Sequence, residues 1–380
     1  MAIQNRNSNT FISEVQSTTQ GTLPAADNSS IGSDLTAWNS FKTILDKSVA
    51  GGSLFSSGVV STYSLVYTTN SAYAGGVLAP NGDIHFIPKN ATVGQKVSAT
   101  GVVSTYSLVY TTSAAYMGGV LAPNGDIHFI PYTASVGQKI SASGVVSTYS
   151  LVYIDLFAYQ GGVLAPNGEI HFVPYLATVG QKINTNTGVV STYSLVYTTT
   201  SAAYAGGVLA PNGDIHFIPN SANRGQKISA SGVVSTYSLV YTKSGAYTGG
   251  VLAPNGDIHF VPDLAAVGQK INTITGVVST YSLVYTYKFM SGYRGGVLAP
   301  NGDVHFSPDG TPVGQKVSAS GVVSTYSLIS TGYGNFTGAV LGTNGDIHFV
   351  PTYPVGQKIS TNPGIPFNIG TCLSPFFNKL

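Results

Sequence analysis

Seven histidines in this 380-residue chain each stand two residues after a carboxylate. The pairs are Asp83/His85, Asp126/His128, Glu169/His171, Asp214/His216, Asp257/His259, Asp303/His305 and Asp346/His348. A spacing of two puts both side chains on one face of a strand, and a serine recurs nearby in each copy, Ser61 in the first. Serine, histidine and carboxylate are the ingredients of nucleophilic hydrolysis, and histidine with carboxylate can ligate a metal. The repetition argues against both chemistries. A triad is one asymmetric constellation with an oxyanion hole, and a zinc site draws about four ligands to within ~2.3 Å of one ion. Equivalent residues on separate units cannot converge in that way. The expectation is therefore no catalytic residue, no metal, no cofactor and no enzyme, with each histidine hydrogen-bonded between units to a tyrosine, a serine or a carbonyl.

These residues are positioned by a repeat. GVVSTYSL begins at Gly58, Gly101, Gly144, Gly188, Gly232, Gly276 and Gly321, at spacings of 43, 43, 44, 44, 44 and 45 residues. A period of this length points to propeller blades or a solenoid. In the first copy Val59–Tyr67, rich in β-branched and aromatic residues, reads as a strand buried on both faces. Gly75–Ala79 is a short run of small residues. Asn81-Gly82 is a hairpin signal in which both turn positions take positive φ. Asp83–Ile87 returns as the partner strand, stopped by Pro88, and Gln95–Ser98 is a fourth strand. Four strands in seven units predict an all-β, seven-bladed β-propeller with four antiparallel strands per blade. The glycine pair suits a crowded innermost strand. The last copy lacks its own outer strand, so Val59–Tyr67 is expected to complete the last blade and lock the ring.

In such a blade the connection from outer strand to next inner strand and the connection from second to third strand emerge at one end. The sequence varies mainly in those two windows, and the links at the other end are nearly fixed. Of 30 charged residues, the eight that lie within the repeats but outside the Asp/Glu-x-His and Gly-Gln-Lys positions all fall there: Lys89, Asp155, Arg224, Lys243, Asp263, Lys288, Arg294 and Asp309. Loops on a rigid scaffold carry binding residues, and aromatics and arginine carry interface energy. The expected partner-binding residues are Tyr287, Lys288, Phe289, Tyr293 and Arg294 in the longest window, Phe157 and Tyr159 as a second patch, and Tyr175, Arg224 and Lys243. The opposing reading is that loops drift because packing does not restrain them.

Three segments are expected: 1–57, an arm with a short amphipathic helix near Leu35, Trp38, Phe41, Ile44 and Leu45; 58–360, the propeller; and 361–380, an apolar tail. A net charge of +2 gives no nucleic-acid footprint. No membrane span is visible, the start lacks the apolar stretch of a secretory signal, and the single cysteine, Cys372, excludes an internal disulfide.

The repeat resembles the kelch class of propeller repeat in its hairpin, short third strand and longer outer strand. It departs from that class in placing the double glycine before the first strand and in lacking the outer-strand tryptophan. The wording GGVLAPNG-x-I-x-F-x-P is similar to repeats of uncharacterised proteins from tailed bacteriophages and some microbes, and Leu373–Lys379 resembles the ends of marine phage structural proteins. These resemblances imply a phage virion or tail-associated, non-enzymatic recognition protein. Its variable face would bind a host cell-surface glycan or protein, and its arms would bind other virion proteins. Two alternatives stand beside it: a lectin-like propeller with repeated inter-blade carbohydrate sites built from residues such as Tyr63, His85 and Gln95, and an intracellular kelch-type interaction scaffold.

Overall fold

Within each repeat, short runs rich in Val, Ile, Tyr and Thr alternate with turns containing Gly, Pro and Asn, the composition of an antiparallel meander. In the computed structural model, which describes residues 58–199, 201–286, 291–332 and 334–361, these runs form seven four-stranded antiparallel sheets. Blade 1 passes from an inner strand, Tyr73–Leu78, through Ile84–Pro88 and Val93–Val97 to an outer strand, Val103–Ser107. Blades 2 to 6 repeat this order. Blade 7 takes its first three strands from Phe336–Leu341, Asp346–Pro351 and Val355–Ser360, and its outer strand from Val59–Ser64. Val59 pairs with Ser360 and Ser64 with Val355 in unbroken register. The fold is thus a seven-bladed propeller with four strands per blade, and the N-terminal strand completes the last blade. Val59–Thr361 form one compact unit. The expected amphipathic helix and apolar tail lie outside the described residues.

The blades meet at the axis through glycine. The axial glycine of each blade, followed by a second glycine in six blades and by Ala339 in the seventh, has φ between +70° and +136°, which glycine alone adopts readily. A methyl group on Gly75 would lie 3.2 Å from the Cα of Gly118, and the same relation links Gly118 to Gly161, Gly206, Gly249, Gly295, Gly338 and back to Gly75 at 3.0–3.3 Å. These glycines therefore form a closed backbone ring. The strand register shifts at the same point, between Tyr73 and Gly76 in blade 1, a bulge that bends the inner strand. The second glycine faces the preceding blade: a methyl on Gly119 would lie 2.5 Å from Ile87 Cδ1.

The hydrophobic core lies between blades. Tyr73, Ile84, Phe86 and Val97 of blade 1 cluster with Val340 and Val350 of blade 7, and six equivalent clusters fill the other interfaces. A buried glutamine reinforces each joint. Gln95 Oε1 accepts the amide N–H groups of Val66 and Tyr67 at 3.0 and 2.7 Å, where the chain leaves the outer strand of blade 7. This bond explains a departure from the sequence reading. The outer strand ends at Ser64 and does not reach Tyr67, because the backbone donors of Val66 and Tyr67 are taken by the next blade. Nor is that strand buried on both faces. It has a neighbour on one edge only, and Val59 and Val66 are 66% and 61% exposed.

The Asn-Gly turn also differs from expectation. Gly82 has φ +86°, but Asn81 is not in the positive region. Gly82 N–H donates to Ala79 O at 2.9 Å and Ala79 N–H to Asp83 O at 2.8 Å. This is a three-residue hairpin, a type I turn followed by a left-handed glycine. The two-residue form would need residue 80 to donate its N–H to Asp83 O, and Pro80 has none, so Ala79 makes that bond instead.

Blade 7 departs from its siblings at one inter-blade contact. Ala339 replaces the second glycine, and Ser307 in blade 6 replaces the Ile or Val that faces that glycine elsewhere. Ser307 Oγ donates to Gly338 O at 2.8 Å in a fully buried position. The two substitutions compensate: the added methyl occupies space that the smaller serine releases. Ser307→Ile should destabilise the ring by about 2–4 kcal/mol through overpacking and the lost hydrogen bond. Adding Ala339→Gly should recover about 1–2 kcal/mol in a double-mutant cycle read by denaturant unfolding. Additive single effects would refute the coupling.

Candidate functional site

The repeated ionisable groups are consumed by the scaffold. Lys96 Nζ lies 2.6 Å from Asp83 Oδ2, and Asn81 bonds the same carboxylate at 3.2 Å. Lysine–carboxylate pairs at 2.5–2.7 Å recur in every blade. His85 Nδ1 meets Tyr106 OH at 3.3 Å across its own blade. The pairing recurs at His128, His171, His259 and His305, and at His348 with Tyr63 of the closing strand. At His216 and Tyr237 the rings pack 5.6 Å apart without the bond. The histidine partners are therefore within blades, not between them as expected, because the tyrosine of the outer strand folds back over the third strand. Gln95 is fully buried and engaged, and His85 is 6% exposed. Repeated inter-blade sugar sites built on these residues have no open surface. Among the described residues no group of three or more His, Cys, Asp or Glu could hold a metal.

The residues singled out in the variable windows divide into several groups. Tyr287, Lys288 and Phe289 lie outside the described residues. Tyr159 and Tyr293 are 0% and 1% exposed, so neither belongs to a binding face. Each opens an inner strand, packs on a phenylalanine of the second strand, and donates its hydroxyl to a backbone carbonyl, Val179 O at 3.0 Å and Val313 O at 3.3 Å. The signal was in the sequence, since this position is Tyr in six copies and Phe336 in the seventh. Arg224 is exposed at the start of a third strand, and Lys243 donates to Leu264 O at 3.1 Å. Neither lines the cavity on the ring axis.

The two windows meet one another. Lys89 O accepts from Ala115 N, Tyr132 O from Ala158 N, Tyr175 O from Ala203 N and Asn220 O from Ala246 N at 2.7–3.1 Å, so the residue after each second-strand proline touches the next blade's inner strand. These positions carry Lys89, Tyr132, Tyr175, Asn220, Asp263, Asp309 and Thr352. Nearer the axis, the residue before each axial glycine is Ala74, Met117, Gln160, Ala205, Thr248, Arg294 or Thr337, and these line a cavity of about 190 Å³ above the glycine ring. The fold thus gathers two rings of variable residues at one mouth of the channel.

The mouth is asymmetric. On one side Arg294 Nε lies 3.1 Å from both Asp309 Oδ2 and Ser291 Oγ. Asp263 Oδ1 accepts from Ser291 Oγ at 2.8 Å and Gly292 N at 2.9 Å. Burial pushes the Asp263 carboxyl above its ordinary range, against the opposing pull of Arg294. Burial, with the Arg294 charge adding to it, holds the Lys89 ammonium below its ordinary value. On the other side Tyr132 packs against Phe157 with centroids 5.0 Å apart and against Tyr175 at 5.6 Å. Phe157 is 39% exposed. Of the residues around the mouth, Phe157, Tyr175 and Arg294 are candidates from the sequence, Lys89 falls in a variable window without a role, and Tyr132 and Gln160 are not singled out there. The available signal was that their positions vary from copy to copy while their neighbours do not.

No protein-family profile matches the sequence, and no curated protein is similar to it. Solved structures are similar in fold. A streptogramin B lyase is 21% identical with a TM-score of 0.70, over 80% of this chain and 98% of that one. A catalytically inactive histidine-to-alanine variant of virginiamycin B lyase from Staphylococcus aureus, with quinupristin, is 18% identical with a TM-score of 0.69, over 80% and 99%. The WD40 β-propeller domain of Doa1 is 11% identical with a TM-score of 0.61, over 80% and 97%. These identities show the shared fold alone. They also correct the expectation that this is not an enzyme: the propellers similar to it include lyases, one of them inactivated at a histidine, so the fold is no ground for excluding catalysis.

The buried histidines make stability depend on pH. Burial, with the neighbouring lysine adding to it, lowers all seven from 6.5 to about 4. Between those values the unfolded chain binds protons that the folded chain refuses, so stability falls as pH falls. The loss reaches on the order of 3 kcal/mol per histidine. The melting temperature, followed by circular dichroism, should be flat from pH 8 to 7 and drop steeply from pH 6.5 towards 4. A flat profile across that lower window would contradict the assignment.

Proposed function

We propose that this propeller recognises a partner through the axial mouth at its variable end. The observation that carries the reading is the confinement of variation. Scaffold positions are near-identical in all seven copies, while the residues gathered at one mouth differ in charge, size and aromaticity. Drift alone gives small polar exchanges. Here it would have to yield a half-exposed phenylalanine beside a tyrosine pair, and a half-exposed arginine paired with a buried aspartate.

The resemblance of the repeat wording to phage proteins supports a virion or tail-associated setting. The mouth would meet a surface molecule of the host cell, and residues 1–57 and 362–380 would attach the ring to the particle. A kelch-type scaffold is the second setting compatible with the same mouth. Repeated sites between blades are disfavoured, since the invariant polar groups are buried and engaged with one another.

Purified protein should bind envelope fractions or surface polysaccharide of its host with one site per chain. Met117→Trp, which fills the cavity without removing a scaffold bond, and Phe157→Ala should each weaken binding at least tenfold. Thr100→Ala at the opposite end should leave it unchanged. Equal binding by all three variants, measured by surface plasmon resonance, would refute the mouth as the site. Lys288→Ala with Phe289→Ala tests whether the longest window shares in it.

A further inference from the structure

The seven outer strands keep identical letters where nothing inside the ring requires them. GVVSTYSL opens each copy without a single change. Part of that identity is structural. Tyr106 covers Gly94 and meets His85, and Leu108 packs on the core. The other side chains of the strand face outward. The valine that precedes it, Val102 in blade 1, is 60–66% exposed in all seven blades. The threonine equivalent to Thr105 is exposed in six blades and the serine equivalent to Ser107 in seven. Among the described residues none of these hydroxyls makes a hydrogen bond.

Exposed positions elsewhere in the repeat have diverged. The link into the outer strand reads Ser98-Ala99-Thr100 in blade 1, Asn184-Thr185-Asn186-Thr187 in blade 3 and Asn272-Thr273-Ile274-Thr275 in blade 5, where Ile274 is 83% exposed. Strand propensity does not account for the contrast, since Val, Ile and Thr are alike by that measure and serine is not among the favoured residues. A restraint from outside the chain does. The same strand is an open edge. It stands last in every sheet, and every second residue directs its N–H and C=O away from the blade. Natural edges are blunted by charge, proline or a bulge. Val103–Ser107 has no charge and no proline and pairs with the third strand in unbroken register, and the other outer strands do the same.

We propose that the rim is a self-association surface, and that the occupant of each edge is the outer strand of a second copy of this chain. A foreign partner seated on one edge would leave the other six free to vary. An edge that pairs with its own kind must match every other edge, and that condition holds all seven to one sequence. The contact is isologous and antiparallel. A twofold axis perpendicular to the sheet keeps each face on its own side, so the central residue of the strand opposes itself. Thr105 then meets the threonine of the second ring, and Val103 meets the serine on the same face, pairs that suit an antiparallel ladder and bring no like charges together. Five residues make a contact smaller than a stable dimer needs. Each ring offers seven such edges, so association is weak per edge, open-ended, and strengthened by many neighbours.

Sedimentation velocity of the full chain over a wide concentration range tests this. The mean mass should rise from a single ring without stopping at two. Thr105→Lys, made together with the same change at the six equivalent threonines, sets like charges against one another and should raise the half-assembly concentration at least tenfold. Thr105→Glu, made likewise, should do the same. An equal mixture of the two variants, each shown to be folded by circular dichroism, should assemble again, and more tightly at low salt. Phe157→Ala, at the mouth, should leave assembly unchanged. A wild-type ring that stays single at every concentration would overturn the proposal and leave the edges to the strand of a different protein. Assembly that survives the lysine changes, or a mixture no heavier than its parts, would overturn it as well.

Discussion

The structure depends on seven glycines touching across blades around an axis. At Cβ-equivalent distances of 3.0–3.3 Å to the next Cα, no side chain fits between neighbours, and the backbone itself sets the inner radius. Everything outward depends on that radius. The bulge at each pair bends the inner strand. The second glycine admits the Ile or Val of the previous blade, and the Tyr and Phe behind it fill the wedge between sheets. No blade owns its core, so the ring gains its stability as a whole. The glutamine latch, which ties the exit of one blade to the third strand of the next, adds a directional bond at the same joints.

The same geometry separates structure from recognition. Polar groups in the repeated positions are paired at short range, carboxylate with lysine and histidine with tyrosine. Six of the seven histidine–tyrosine pairs are hydrogen-bonded, and losing a partner inside a buried polar network is costly, which leaves those positions little freedom to change. Some window residues share that constraint, Asn220, Thr248 and Asp263 each bonding the next blade through the side chain, but many do not. They lie where strands have ended and backbone hydrogen bonds between blades are already made by the main chain. Where the side chain makes no such bond it can change without costing the ring a joint, and the ring brings these positions to one opening.

Much of this was legible in the sequence. Seven near-identical copies fix the number of blades, the turn residues divide each copy into four strands, and the missing outer strand of the last copy predicts the closure that Val59–Ser64 makes with Val355–Ser360. What was not legible has physical causes. The composition of Val59–Tyr67 suggests burial, but β-branched residues also suit an outer strand with one open edge, and composition cannot tell the two apart. Tyr159 and Tyr293 sit inside variable windows, and only comparison with Tyr73, Tyr116, Tyr204, Tyr247 and Phe336 shows them to be core. The pairing of Arg294 with Asp309 and the approach of Phe157 to Tyr132 depend on the angle between blades, a quantity that spacing along the chain does not carry. The repetition of the histidines argued against catalysis from symmetry alone, and the lyases of similar fold show that the architecture gives no such guarantee.

The closing strand has a consequence for assembly. Its VSTYS segment has the same letters as the other six outer strands, so nothing in its side chains reserves it for the blade it completes. Its selection rests on tethering: a strand attached to the same polypeptide is present at far higher effective concentration than one from a neighbour. In a crowded preparation that advantage shrinks, and an unfilled seventh sheet accepts the leading strand of another molecule equally well. Monomer and strand-exchanged chain or cycle then differ in connectivity while sharing every contact.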